Sequence, residues 1–161
     1  MGTRSTIAIE YADGTVEQVY CHWDGYIEHN GCILQEHYSD PFKLRELIDL
    51  GDLSSLRPNI GEKHAFSQFE LPAEEVEAFK ALTEDMCTFY GRDRGETGFS
   101  TKAKRFVDYQ DYVDNHQYEE YEYILRQVDS KAVWFVCKYE GAYKPLAEAI
   151  AELDAQEKEA A

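Results

Sequence analysis

Asp13-Gly14 separates two β-rich runs, residues 6–10 and 15–23. The dipeptide is a strong hairpin signal, because glycine accepts the positive φ that tight β-turns require. In the first run Ile7 and Ile9 share a face. In the second, Val19 and Cys21 point one way and Tyr20 and His22 the other. Residues 118–126 and 132–139 repeat the pattern late in the chain, with a turn expected at Asp129-Ser130.

Between the hairpins the periodicity is helical. Residues 26–38 read as a helix with Ile27, Leu34 and Tyr38 near one face and Gly31 permitting a close approach. Ser39-Asp40-Pro41 is a restart signal, a capping side chain followed by Pro at the first helical position. The helix it opens carries Phe42, Leu44, Leu47 and Ile48 and is expected to end at Gly51. Residues 52–56 read as a short turn, and 57–70 as a loop with one strand around 65–69. Pro72 opens a third helix, expected to reach about residue 90 and to bury Val76, Phe79 and Met86. Residues 91–98 form a polar, glycine-rich connection, and Pro145 starts a last helix whose tail, 154–161, is expected to fray. The expectation is one α+β domain spanning 1–161. Its antiparallel sheet is built from the N- and C-terminal hairpins and is covered on one face by three to four helices.

The 32 acidic against 16 basic side chains leave a formal charge of −16, which repels phosphate backbones and favours basic partners. Direct nucleic-acid binding is therefore not expected. A hydrophobic fraction of 43% excludes a disordered chain. No apolar run approaches membrane-spanning length, and no apolar h-region marks a signal peptide. The four cysteines lack a CxxC pair, so reduced thiols in a cytoplasmic compartment are expected.

Three segments concentrate chemistry. The first is Cys21-His22-Trp23-Asp24-Gly25-Tyr26, followed by His29, Cys32 and His37. Zinc takes Cys and His, but adjacent Cys21 and His22 point to opposite faces of a strand, so no metal site is expected. The competing reading is a strand-to-helix corner with Trp23 and Tyr26 packed and Asp24 capping the helix. Cys21 or Cys87 with a distant His lacks a local nucleophile signature, and no nucleotide loop is present, so neither catalytic residues nor a cofactor is expected. The second segment holds Arg92, Arg94, Lys102, Lys104 and Arg105. It reads either as an anion- or nucleotide-binding patch or as a solvated, ion-paired surface. The third is acidic: Asp108, Asp111 and Asp114, then Glu119, Glu120 and Glu122, interleaved with tyrosines that include Tyr109 and Tyr112. It reads either as a partner-binding, DNA-mimic-like strip or as a turn feeding an amphipathic strand with its acids in water.

The run from Gly2 to Ala8, the run from Asp13 to Tyr26, Leu34 to Tyr38, and Leu47 to Leu56 (LIDLGDLSSL) together resemble a family of small bacteriophage and prophage accessory proteins. Glu120 to Tyr123, followed by Val133-Trp134-Phe135-Val136, is similar to the family's ending. Where members often carry Pro after the Gly-Tyr pair, this chain has Ile27. The resemblance assigns no catalytic residue. It implies a dispensable phage protein working in the host cytoplasm, and with the charge it suggests one that binds and inhibits a host protein, such as a defence or nucleic-acid-handling complex. Two alternatives stay open: a nucleotide or small-ligand sponge using the 92–105 patch, and a small metal-dependent enzyme built on the Cys21–His37 cluster.

Overall fold

A computed structural model describes residues 2–96, 98–139 and 141–160. Its centre is Ser5–Glu10 (β1), which pairs antiparallel with Val16–Cys21 (β2) around the expected turn, where Gly14 has φ 91°. The second hairpin joins Tyr121–Val128 (β6) to Lys131–Lys138 (β7) through Asp129 and Ser130, both at positive φ. That pair of left-handed residues matches the twist of the flanking strands. The two hairpins meet through a parallel pairing of β1 with β6, from Ser5 opposite Tyr121 to Ile9 opposite Leu125. The sheet is therefore mixed, not wholly antiparallel.

Around this centre lie Leu53–Ser55 (β3), Thr88–Phe89 (β4), Lys104–Phe106 (β5) and Lys144–Pro145 (β8). The strand order is β4-β3-β2-β1-β6-β7-β8, with β5 also pairing β2. β3 occupies the segment read as a turn, and β4 lies within the span read as one long helix. That span is instead Val76–Thr83 (α3), a break, β4, and then Tyr90–Arg94 (α4). No strand forms at 65–69, where a short turn covers Gln68–Glu70.

Both faces of the sheet are covered, not one. One face packs Ile7, Ile9, Val19, Tyr123, Leu125, Trp134 and Val136 against Cys32–His37 (α1), Pro41–Asp49 (α2) and Leu146–Ala160 (α6). These helices contribute Leu34, Leu44, Leu47, Ile48, Leu146 and Ala149. The start of α2 is as expected, with Asp40 accepting from the Phe42 N–H at 3.0 Å, but Phe42 itself is exposed. α6 stays helical through Ala160, beyond the point where fraying was expected; Ala161 and Thr97 of the 91–98 connection lie outside the described residues.

The other face is smaller. Ala8, Val16, Ile124 and Phe135 meet Phe106 and Tyr112, the latter on Tyr109–Asn115 (α5). Burial on both faces explains why β6 breaks the alternation of a half-solvated strand: residues 122–125 are all buried.

Candidate functional site

The resemblance motifs resolve into structural roles. Gly25 is buried, donates its N–H to the Thr3 carbonyl at 2.8 Å and accepts from the Tyr123 hydroxyl at 2.6 Å. A Cβ there would lie 2.7 Å from that of Ser5, so the corner requires glycine. Asp24 does not cap the helix: it sits at φ 57°, its carbonyl accepting from the Asn30 N–H at 3.2 Å. Fully buried Asn30 ties the corner together, its side-chain amide reaching Ser5 Oγ at 3.3 Å and the Trp23 carbonyl at 3.3 Å. Trp23 is 43% exposed, and His22 faces the Tyr20 hydroxyl at 2.8 Å through Nδ1. The Tyr26 ring lies 6.0 Å from that of His29, tilted by 59°.

The Leu47–Leu56 motif supplies core leucines, the left-handed Gly51 at φ 88°, and Asp52. β5 and β3 pair with the same edge of β2, at residues 16–18 and at Cys21. The Asp52 carboxylate fills the gap between them, accepting the Tyr20 N–H at 2.9 Å. Burial raises its pKa to about 6, against the favourable pull of that N–H and of Lys104.

No metal cluster assembles at the Cys21–His37 segment. His29 faces Asn30 and Arg57, His37 lies beside Glu36, and among the described residues no group of three or more His, Cys, Asp or Glu converges on a point. Burial pushes the Cys21 thiol up to about 12 and raises Cys87 as well, so neither supplies a thiolate.

The basic patch is divided. Arg92 is engaged internally, donating to the carbonyls of Ile60, Gly61 and Cys87 and to buried Asp93. Arg94 pairs with Glu96 at 2.7 Å and lies over the Phe66 and Tyr90 rings. Lys102, Lys104 and Arg105 are exposed, Lys104 reaching Gln117 at 3.2 Å. The five do not form one anion cradle.

The acidic strip is also divided, and two of its members leave the surface. Glu122 and Tyr112 are fully buried, which corrects their placement in a binding strip. Asp108 caps α5 by accepting from the Asp111 N–H at 2.8 Å. Asp111 accepts from the Val107 N–H and Asn115, and Asp114 from Gln110. Tyr109 lies under the Arg126 guanidinium, which pairs with Glu10 at 3.1 Å. Glu119 and Glu120 stay together with Tyr118 and Tyr139 around an open cleft of about 300 Å³.

Directly behind this cleft is a group that sequence reasoning missed. His116, fully buried in its side chain, lies 3.5 Å from Glu122 through Nε2. Nδ1 faces the Tyr112 carbonyl at 2.5 Å. A carbonyl only accepts, so Nδ1 carries a proton and Nε2 is the atom presented to the carboxylate. The imidazole stacks on the Tyr112 ring at 4.3 Å and meets the tilted Tyr118 ring at 4.1 Å. Thr6 Oγ1, Gln18 Nε2, His116 Nε2 and both Glu122 oxygens are buried without hydrogen-bond partners. By strand parity Thr6, Gln18 and Glu122 share the small face of the sheet. His116 is a lone histidine with no motif around it, and its pairing with Glu122 depends on α5 folding over a sheet face that no local pattern marks for covering.

The arrangement offers a sealed polar layer joined through Tyr118 to a surface cleft of two carboxylates and two aromatic rings. No family model, curated protein or solved structure matches the chain.

Proposed function

We propose that the protein works by binding, with its acidic surface docking on a basic protein and the Tyr118–Glu119–Glu120–Tyr139 cleft receiving a lysine or arginine side chain. The observation that carries this reading is the cleft's composition. Two carboxylates supply charge, Glu119 also accepting from Gln117, and two tyrosine rings supply walls suited to a cation, as the Lys138 ammonium 5.5 Å from the centre of the Tyr139 ring illustrates. Exposed aspartates at 108 and 114 add a field of the same sign, in a chain of net charge −16 that draws cationic surfaces in.

The resemblance to phage accessory proteins is the reason to seek the partner in a bacterial host, and to read the outcome of binding as inhibition. The anion-binding alternative is weaker, because Arg92 and Arg94 are already engaged.

An arginine-rich peptide, followed by fluorescence anisotropy, tests the cleft. Binding to the wild-type protein should weaken at least tenfold in Glu119→Gln/Glu120→Gln, with the fold unchanged by circular dichroism. Equal affinity in the two proteins would remove the cleft from the account.

A further inference from the structure

Helix α3 and the turn before it bury little of themselves. None of the eight residues of Val76–Thr83 is buried, and Val76 and Phe79 are only half-covered, contrary to the expectation that they belong to the core. Outside them Phe69 is 89% exposed and Leu82 60% exposed. The Gln68–Glu70 turn lies against α3, so both side chains belong to one lobe.

Isolated exposed hydrophobes are ordinary on protein surfaces. Phe42 and Phe99 are of that kind here. The lobe differs in pairing its apolar residues with a predominantly acidic rim. Glu70, Glu74, Glu75, Glu77, Glu84 and Asp85 are all exposed, against Lys80 and Arg57, which share a surface pocket with Glu77 and Glu84.

The base of the lobe is firmly held. The Asn59 N–H donates to the Asp85 carbonyl at 2.9 Å, and the Cys87 N–H donates to the Asn59 carbonyl at 2.9 Å. Buried Asp93 accepts from the N–H groups of His64 and Phe89, and His64 in turn meets the Phe79 ring at 6.0 Å. A short helix has little stability of its own in water; Val76 and Phe79 hold this one to the fastened base and leave Leu82 and Phe69 outward.

We infer that α3 and Phe69 form a docking element that inserts into an apolar groove rimmed by lysine and arginine on a partner protein. Helix-in-groove recognition of this kind uses a few apolar anchors from one helical face, with the flanking charges setting orientation and specificity. The inference rests on the reading that the protein binds a basic protein, and it names a second contact, separate from the cleft at 118–120.

The test uses the full chain, labelled with 15N, and two synthetic peptides of equal charge. One is a helical peptide presenting a leucine stripe flanked by lysines, and the other has serine in place of each leucine. The leucine peptide should shift amide signals within 66–86 and bind at least tenfold more tightly than the serine peptide. Phe69→Ser/Leu82→Ser should abolish that tenfold advantage while leaving the urea midpoint unchanged, since both side chains are exposed.

Equal binding by the double variant and the wild type would overturn the inference. Shifts confined to 118–120 and 139 would also overturn it, while leaving the acidic-cleft reading intact. If neither peptide shifts either region, both readings fall.

Discussion

The Glu122 carboxylate lies inside the protein, 3.5 Å from Nε2 of His116. In Tyr121-Glu122-Tyr123 the alternation suggests acids outward and tyrosines inward, yet Glu122 is fully buried and Tyr121 half-buried. The pair it makes with His116 is held in low dielectric. Removing one partner leaves the other buried against an apolar side chain, at a cost of about 1–3 kcal/mol, whereas replacing both by apolar side chains costs far less. We predict that His116→Leu and Glu122→Leu each lower the urea midpoint strongly, and that the double variant loses clearly less than the sum. Additive losses would show that the two do not act as a pair.

Asp52 gives the opposite sign. Its folded pKa, about 6, lies above the ordinary value of 3.8, so the native state binds its proton more tightly. This contribution to stability is present at acid pH and is lost as pH rises from about 4 to about 6, leaving a buried charge at neutrality. Asn keeps an oxygen for the Tyr20 N–H. Asp52→Asn should therefore stabilise the protein by about 1 kcal/mol at pH 7, once partial exposure is allowed for, and by nothing at pH 4. Urea unfolding of both proteins at the two pH values measures it.

At the scale of elements, legibility followed locality. Both hairpins were readable because their turns are written in adjacent residues, and α2 because Asp40-Pro41 and Gly51 bracket it. β3 and β4 were not readable. Each is two or three residues long and exists because a neighbour offers hydrogen bonds: β3 extends the β2 edge at Cys21, and β4 pairs with β3. The long helix expected after Pro72 fails for the same reason, since Thr88-Phe89 gains a sheet partner that a helix could not supply.

The late turn leaves room for improvement. Asp129 at φ 51° and Ser130 at φ 68° occupy left-handed conformations that cost a non-glycine residue energy. Ser130→Gly should stabilise the protein by about 0.5–1 kcal/mol, read as a rise in melting temperature. A fall would mean that the Ser130 side chain contributes more than its strain.

For the whole molecule, the α+β class and the helical middle were visible in the sequence, while the parallel joint of β1 to β6 was not. That joint links residues more than a hundred positions apart, beyond any local pattern. The candidate site was legible in its charge but not in its boundaries. The acidic run named Glu119 and Glu120, but Tyr139 comes from the turn just beyond β7, and Glu122 turned inward. Among the described residues no helix is long and apolar enough to cross a membrane, and the dominant global property is the surplus of negative charge. An exposed acidic surface binds through interactions that salt screens over about 8–10 Å at ordinary ionic strength.

The most direct measurement is therefore affinity capture from bacterial lysate by the tagged protein at low and at high salt, alongside Glu119→Gln/Glu120→Gln. The account predicts a defined basic protein that is retained at low salt, released as salt rises, and lost from the variant. A partner held equally by the variant and indifferent to salt, or no partner at either salt, would contradict it.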